Sequence, residues 1–189
     1  MRSATLIGLC LSAWWVQAQN SDAALRELTW NPYYSLQWSD FQGEPNRSSL
    51  SDAGTAVRIT AQPFLVGKRV EYDVKAIFDR NKSWARDTSQ SLLSHEQLHF
   101  DIAELYARKI RKRVGELQSK GIRDIGVYNK EIQLLLEESN DFDRRYDIET
   151  LHGSMAKKQA VWESRVQDEL ARLRAFKEVK RVIGASPKP

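Results

Sequence analysis

Two histidines stand four residues apart, with a glutamate directly after the first, in "SLLSHEQLHFDIAELYAR", residues 91 to 108. On an α-helix, positions i and i+4 differ by about 40° in azimuth and about 6 Å in rise, so the imidazoles of His95 and His99 project side by side. Two imidazoles so placed can share one tetrahedral zinc ion at roughly 2.0 to 2.1 Å. Glu96 falls about 100° round from His95, beside such a metal rather than on it. There its carboxylate can take a proton from a zinc-activated water and pass it to a leaving group, as in H-E-x-x-H metallopeptidases. Gln97, Leu98 and Phe100 read as helix filler and packing.

A catalytic zinc takes three protein ligands and keeps one position open. The metzincin extension would need a Gly and a His soon after His99, and "FDIAELYAR" has neither. Glu104, five residues beyond His99, has rotated about 140° to another face. The third ligand must therefore come from elsewhere. One source is Glu137 or Glu138 in "LEESND"; the other is "YDIETLHG", residues 146 to 153, with Asp147, Glu149 and His152. His152 is the preferred ligand, because neutral imidazole suits zinc and Gly153 lets a loop turn back toward the histidine helix. Glu149 is the second choice, and Asp147 or Glu149 can orient a histidine from behind. The chain has three histidines, and all three fall in these two segments. Tyr146 is a candidate hydrogen-bond donor to the oxyanion of a tetrahedral intermediate; it reads equally as a tyrosine closing a helix against the core.

The elements that hold these residues follow from periodicity. From Trp30 to Asp79 the chain reads as strands and turns: "YYSLQWSDF" (33 to 41), "AGTAVRITA" (53 to 61) and "RVEYDVKAIF" (69 to 78) alternate with period two. The linkers "QGEPNRSSLSD" and "QPFLVGK" carry turn residues. After Asp87 the period lengthens to that of helices. A first helix capped by Asp87 or Ser89 runs to about Gly121, a second spans about Asp124 to Arg145, and a third about Ser154 to Lys180. Residues 146 to 153 break the pattern between the second and third. The expected fold is α+β: a small antiparallel sheet followed by three long helices, with HExxH on the first.

Length and composition, 189 residues with 41% hydrophobic, suit one domain over residues 19–183 with a short disordered tail at 184–189. Residues 1–18 have a basic Arg2, an apolar run from Ala4 to Leu11 and Val16-Gln17-Ala18 before Gln19, the pattern of a secretory signal peptide cleaved after Ala18. That run is too short for a stable membrane anchor. The single cysteine, Cys10, follows Leu9, which does not suit lipoprotein processing, so soluble export to the periplasm or medium is expected. A mature chain without cysteine has no disulfide to staple it, which makes a bound metal a natural alternative. The net charge of +4 is spread along helices among many acids, so no nucleic-acid function is inferred.

"WSDFQG" (38 to 43), "LLSHEQLHFDIAELYARKIRK" (92 to 112) and "YDIETLHGSMAKKQAVW" (146 to 162) together resemble the bacterial family of predicted secreted zinc-dependent proteases, catalogued as domain of unknown function 922. The resemblance implies a small zincin-like domain with His95 and His99 as zinc ligands and Glu96 as catalytic base, and a functional role for residues 146 to 153. The expected activity is that of an exported zinc metallopeptidase acting on a protein or peptide. Its rivals are a zinc amidase acting on peptidoglycan and a zinc-stabilised, non-catalytic scaffold of the envelope.

Overall fold

The structure, a computed structural model, describes residues 26–49, 51–67 and 69–177. The expected signal peptide and the tail at 184–189 lie outside the described residues. Strand β1 is Glu27–Thr29, β2 Ala53–Gly54, β3 Val57–Val66, β4 Arg69–Asp79 and β5 Trp84–Ala85. Strands β1, β4 and β3 form an antiparallel sheet in that order, and β2 pairs with β5. The helices α1, Gln90–Ser119, α2, Ile125–Thr150, and α3, Ala156–Arg172, follow. The fold is α+β, a small antiparallel sheet and then three helices.

Helix α1 starts at Ser89, whose side chain accepts the Leu92 N–H, and its chain turns away at Gly121 with φ +70°. Every residue from Leu98 to Arg108 is buried, because α1 runs between two other layers. On one side Phe100, Ala103, Ala107 and Ile110 meet Val74, Ala76 and Phe78 of β4. On the other, Leu98, Ile102, Leu105 and Tyr106 meet Phe142 and Tyr146 of α2 and Trp162, Val166 and Leu170 of α3. Charges buried on α1 are paired: Glu104 accepts from Arg108 Nε at 2.8 Å and Arg111 Nη1 at 3.1 Å, and these arginines also donate to the carbonyls of Leu170, Val74 and Phe176. Sheet, α1 and the end of α3 are thereby tied through one carboxylate.

Four sequence expectations change. The segment 33–41 is not a strand but an irregular stretch ending in a 3-10 turn at Trp38–Asp40. Side chains take the donors a neighbouring strand would have taken: Gln97 Oε1 accepts the Leu36 N–H at 2.8 Å, and Asp40 Oδ2 accepts the Gln37 N–H at 2.8 Å. Gln97 is therefore a tether between this segment and α1, not filler. The stretch "QPFLVG" continues β3 as far as Val66 before turning at Gly67, and Pro63 is tolerated because β3 is an edge strand. The expected 53–61 strand is interrupted, since Ala56 N–H donates to Ser83 Oγ at 2.9 Å rather than to a ladder. Helix α3 stops at Arg172, where Arg108 draws on the Leu170 carbonyl that the next turn would use.

Candidate metal centre

Helices α1 and α2 are antiparallel neighbours whose facing side chains pair in opposite sequence order: His95 with Asp147, His99 with Asp143, Tyr106 with Glu138 and Arg113 with Glu131. The expected break at residue 146 does not occur, because α2 continues to Thr150. Tyr146 and Thr150 extend the buried stripe begun by Tyr128, Ile132 and Phe142, although neither is aliphatic. One further turn of helix carries Asp147 to the level of His95.

The result is a triangle of three donor atoms. Asp147 Oδ1 lies 3.1 Å from His95 Nε2 and 3.1 Å from His99 Nε2, and the two Nε2 atoms are 3.3 Å apart. Four ligands held tetrahedrally at zinc distances are separated by about 3.3 Å, so these edges fit one small ion. Among the described residues, His95, His99 and Asp147 form the group of three metal-ligating side chains whose donor atoms all lie within 4.8 Å of one another.

The outward nitrogen of each imidazole is already engaged. His99 Nδ1 is 2.7 Å from Asp143 Oδ1, and His95 Nδ1 is 3.3 Å from Gln159 Oε1. Both partners are acceptors, as is Asp147 Oδ1 opposite each Nε2, so a metal held on the two Nε2 atoms would leave each Nδ1 to donate to its outer partner. Two imidazole nitrogens and a carboxylate oxygen at these distances need protons or a cation among them. In the metal-free protein His99, set between the Asp143 and Asp147 carboxylates, is the imidazole favoured to carry the extra proton. Burial alone would lower the His99 pKa, but the carboxylates of Asp143 and Asp147 raise it well above the usual imidazole value. Burial likewise opposes ionisation of Asp147, yet hydrogen bonds from His95 and His99 and the nearby His152 hold it below the usual carboxylate range.

Glu96 is buried, at 3% exposure, and its Oε2 has no hydrogen-bond partner. A buried carboxylate oxygen left bare is costly, by roughly 1 to 3 kcal/mol or more. Its presence one residue from His95 fits a site built to receive something further. The three donor atoms are a set that could hold a metal ion, and the orphaned oxygen lies on the same turn of α1.

The other sequence candidates fall around the triangle rather than in it. His152 is half-exposed with its Nδ1 3.4 Å from Asp147 Oδ1, placing it at the rim beside the carboxylate. Glu149 accepts from Trp162 Nε1 at 3.0 Å and pins α3 to α2. Glu138 accepts from the Tyr106 hydroxyl at 2.9 Å, and Glu137 from Gln133 at 2.9 Å, both further along α2. The ring of Tyr146 stacks on His95 with centroids 4.7 Å apart and meets His99 edge-on at 5.0 Å. Its fully buried hydroxyl is directed at Gln159 Oε1, 2.8 Å, and the His95 carbonyl, 3.1 Å. Tyr146 thus packs behind the imidazoles.

The close of α2 explains the remaining letters of "YDIETLHG". Leu151, His152 and Gly153 take positive φ in succession, at 49°, 51° and 82°. Left-handed backbone costs about 1 to 2 kcal/mol at a residue with a side chain. Thr150 anchors the turn, donating to the Tyr146 carbonyl at 2.8 Å and accepting the Gly153 N–H at 3.3 Å. Gly153 then passes so close to His95 that no side chain fits.

Asp143 and Gln159 were not legible as site residues. A signal did exist for the first: Asp143 and Asp147 repeat on α2 the i, i+4 spacing of His95 and His99. Among the described residues, no helix is long and apolar enough to cross a membrane. No curated protein and no solved structure matches the chain. A family model described as a bacterial protein of unknown function, DUF922, matches residues 18–153, which take in α1, α2 and the turn through Gly153, and the chain belongs to that family.

Proposed function

We propose that this chain is an exported zinc-dependent hydrolase, a zincin-like metallopeptidase, in which His95, His99 and Asp147 hold the metal and Glu96 is the general base. The observation that carries this reading is the triangle of three convergent donor atoms at metal-ligand spacing, with a buried, unpartnered carboxylate oxygen on the residue that follows His95. Zinc bound there supplies a Lewis acid that polarises a carbonyl and makes water acidic enough to attack near neutral pH.

The chain's own residues do the rest. Asp143 and Gln159 would accept the Nδ1–H of the two imidazoles once a metal occupies Nε2. Tyr146, stacked behind them, excludes water from that side. Glu96 Oε2 accepts a proton from the attacking water and returns it to the departing amide nitrogen, the transfer that makes nitrogen a leaving group. His152, at the exposed edge of Asp147, stands where it can hold that carboxylate.

The expected substrate is a protein or peptide. The test is hydrolysis of an unstructured protein such as casein, and of peptidoglycan fragments, by the mature protein and by Glu96→Gln. Cleavage by wild type with at least a 100-fold loss in the variant, at unchanged zinc content, is expected. Equal rates in both would remove Glu96 from the mechanism, and cleavage of peptidoglycan alone would replace peptidase by amidase.

A further inference from the structure

We infer that a groove on the far side of α1 from the triangle binds a short extended peptide and holds its terminal carboxylate at Arg174 and Lys177. The inference does not depend on the metal reading, and the α3 wall of the groove lies beyond the span of the family match.

The groove follows from where α1 places its polar residues. Gln97 and Asp101 stand about 200° and 240° round the helix from His95, so they face away from the triangle. They form a floor between two walls, the irregular segment from Trp30 to Gln37 and one stripe of α3. One carboxylate ties floor and walls together: Asp101, 8% exposed, accepts from Trp30 Nε1 at 2.8 Å, Gln97 Nε2 at 3.0 Å and Gln167 Nε2 at 3.0 Å. Two cavities, of about 550 and 380 Å³, open along this floor and share Ser35, Gln97, Asp101 and Gln167 in their linings. Together they follow α3 from Glu163 to Arg174, just past the end of the helix. Those two residues are eleven positions apart, about 16 Å at 1.5 Å per residue. An extended chain of about five residues, at 3.3 Å each, fills that length.

The lining changes character along its length. Near Glu163 it includes the apolar Leu36, Leu93 and Leu98 beside Gln37 and Gln90. Amide side chains offer a donor and an acceptor together, the pair that a peptide group needs. At the other end Arg174 and Lys177 line the mouth with Trp30 and Tyr34. Arg174 is exposed and has no ion pair among the described residues. Lys177 Nζ lies 5.2 Å from the centroid of the Tyr33 ring and likewise meets no carboxylate among them. The acids nearest this end are already engaged, Glu104 by Arg108 and Arg111 and Asp101 by its three N–H donors. The groove therefore has two uncommitted cations at one end and a carboxylate, Glu163, at the other. A peptide with free ends has the complementary polarity, so its C-terminus lies at Arg174 and its amino end toward Glu163. An acidic glycan would spread its charge along the chain, whereas these cations are confined to one end.

The test is an NMR titration of 15N-labelled mature protein with a five-residue peptide of alternating leucine and alanine, free at both ends, and with the same peptide amidated at its C-terminus. Shifts are expected at the backbone amides of Ser35, Gln97 and Gln167, with the free acid bound about 10-fold more tightly than the amide. Arg174→Glu with Lys177→Glu, at two positions that are not buried, should abolish that preference and leave binding of the amidated peptide as it was. Ser35→Trp fills the stretch shared by the two cavities from an exposed position and should weaken both peptides by about 10-fold or more. Binding should persist in Asp147→Ala, so the groove and the metal site fail or stand separately. Equal affinity for acid and amide in wild type, shifts confined to the surroundings of the triangle, or unchanged binding in Ser35→Trp would each overturn the inference. So would a peptidoglycan glycan fragment that binds the groove when the peptides do not.

Discussion

A Cβ placed on Gly153 would stand 2.9 Å from both Cβ and Cγ of His95. The turn after α2 is therefore in direct contact with a ligand of the proposed metal, and its glycine is required twice, for space and for a φ of +82°. Gly153→Ala should destabilise the fold by about 2 kcal/mol in urea titrations, from the left-handed cost and the forced shift together. Because the shift falls on the His95 ring, zinc affinity should drop as well. A variant with wild-type stability and wild-type affinity would show that the approach is not binding on either.

Asp143 accepts the Nδ1–H of His99 at 2.7 Å. Asp143→Asn keeps the shape and removes the charge, so secondary structure should be unchanged while zinc affinity, measured by chelator competition, falls about 10- to 100-fold. Full affinity in the variant would reduce Asp143 to a surface carboxylate that happens to lie near.

The protonation of the triangle gives a pH dependence with a definite sign. In metal-free protein the His99 pKa is raised, so the associated stability is fully present below about pH 6.5, the ordinary imidazole value, and is lost as pH rises through the higher folded value. Asp147 is shifted the other way, and its contribution is present above about pH 4 and lost as pH falls through its depressed value. Metal-free protein should accordingly be most stable between those limits and weaken toward neutral and alkaline pH. Zinc must displace the His99 proton, so its affinity should climb with pH up to a midpoint above about 6.5. Calorimetry in buffers of different ionisation enthalpy reads the released proton; zinc binding without proton release at pH 6 would contradict the assignment.

Much of this architecture is legible in the sequence where a single periodicity dominates. The cap at Ser89, one of two candidates, the span of α1 and the alternation of β4 follow from pattern, whereas β3 runs over Val57–Val66 rather than 53–61. The end of α2 does not, because its buried face there is built from Tyr146 and Thr150 while Ile148 is exposed, so the apolar stripe is lost just where the site begins. Reading "YDIETLHG" as a loop made His152 the natural ligand; as helix, its Asp147 faces His95 and His99, and the true turn begins only at Leu151. The irregular segment at 33–37 is hidden for a related reason, since its backbone donors go to Gln97 and Asp40, side chains distant from any strand pattern. Gln159 had no sequence signal at all: it meets the His95 imidazole from another helix.

The most direct test of the account is the zinc content of purified mature protein, measured by mass spectrometry of the metal beside Asp147→Ala, His152→Ala and Glu96→Ala. Wild type, Glu96→Ala and His152→Ala are expected to hold one zinc per chain, and Asp147→Ala to lose it. A wild type without stoichiometric zinc, or loss of the metal in His152→Ala with full retention in Asp147→Ala, would contradict the site described by the triangle of His95, His99 and Asp147.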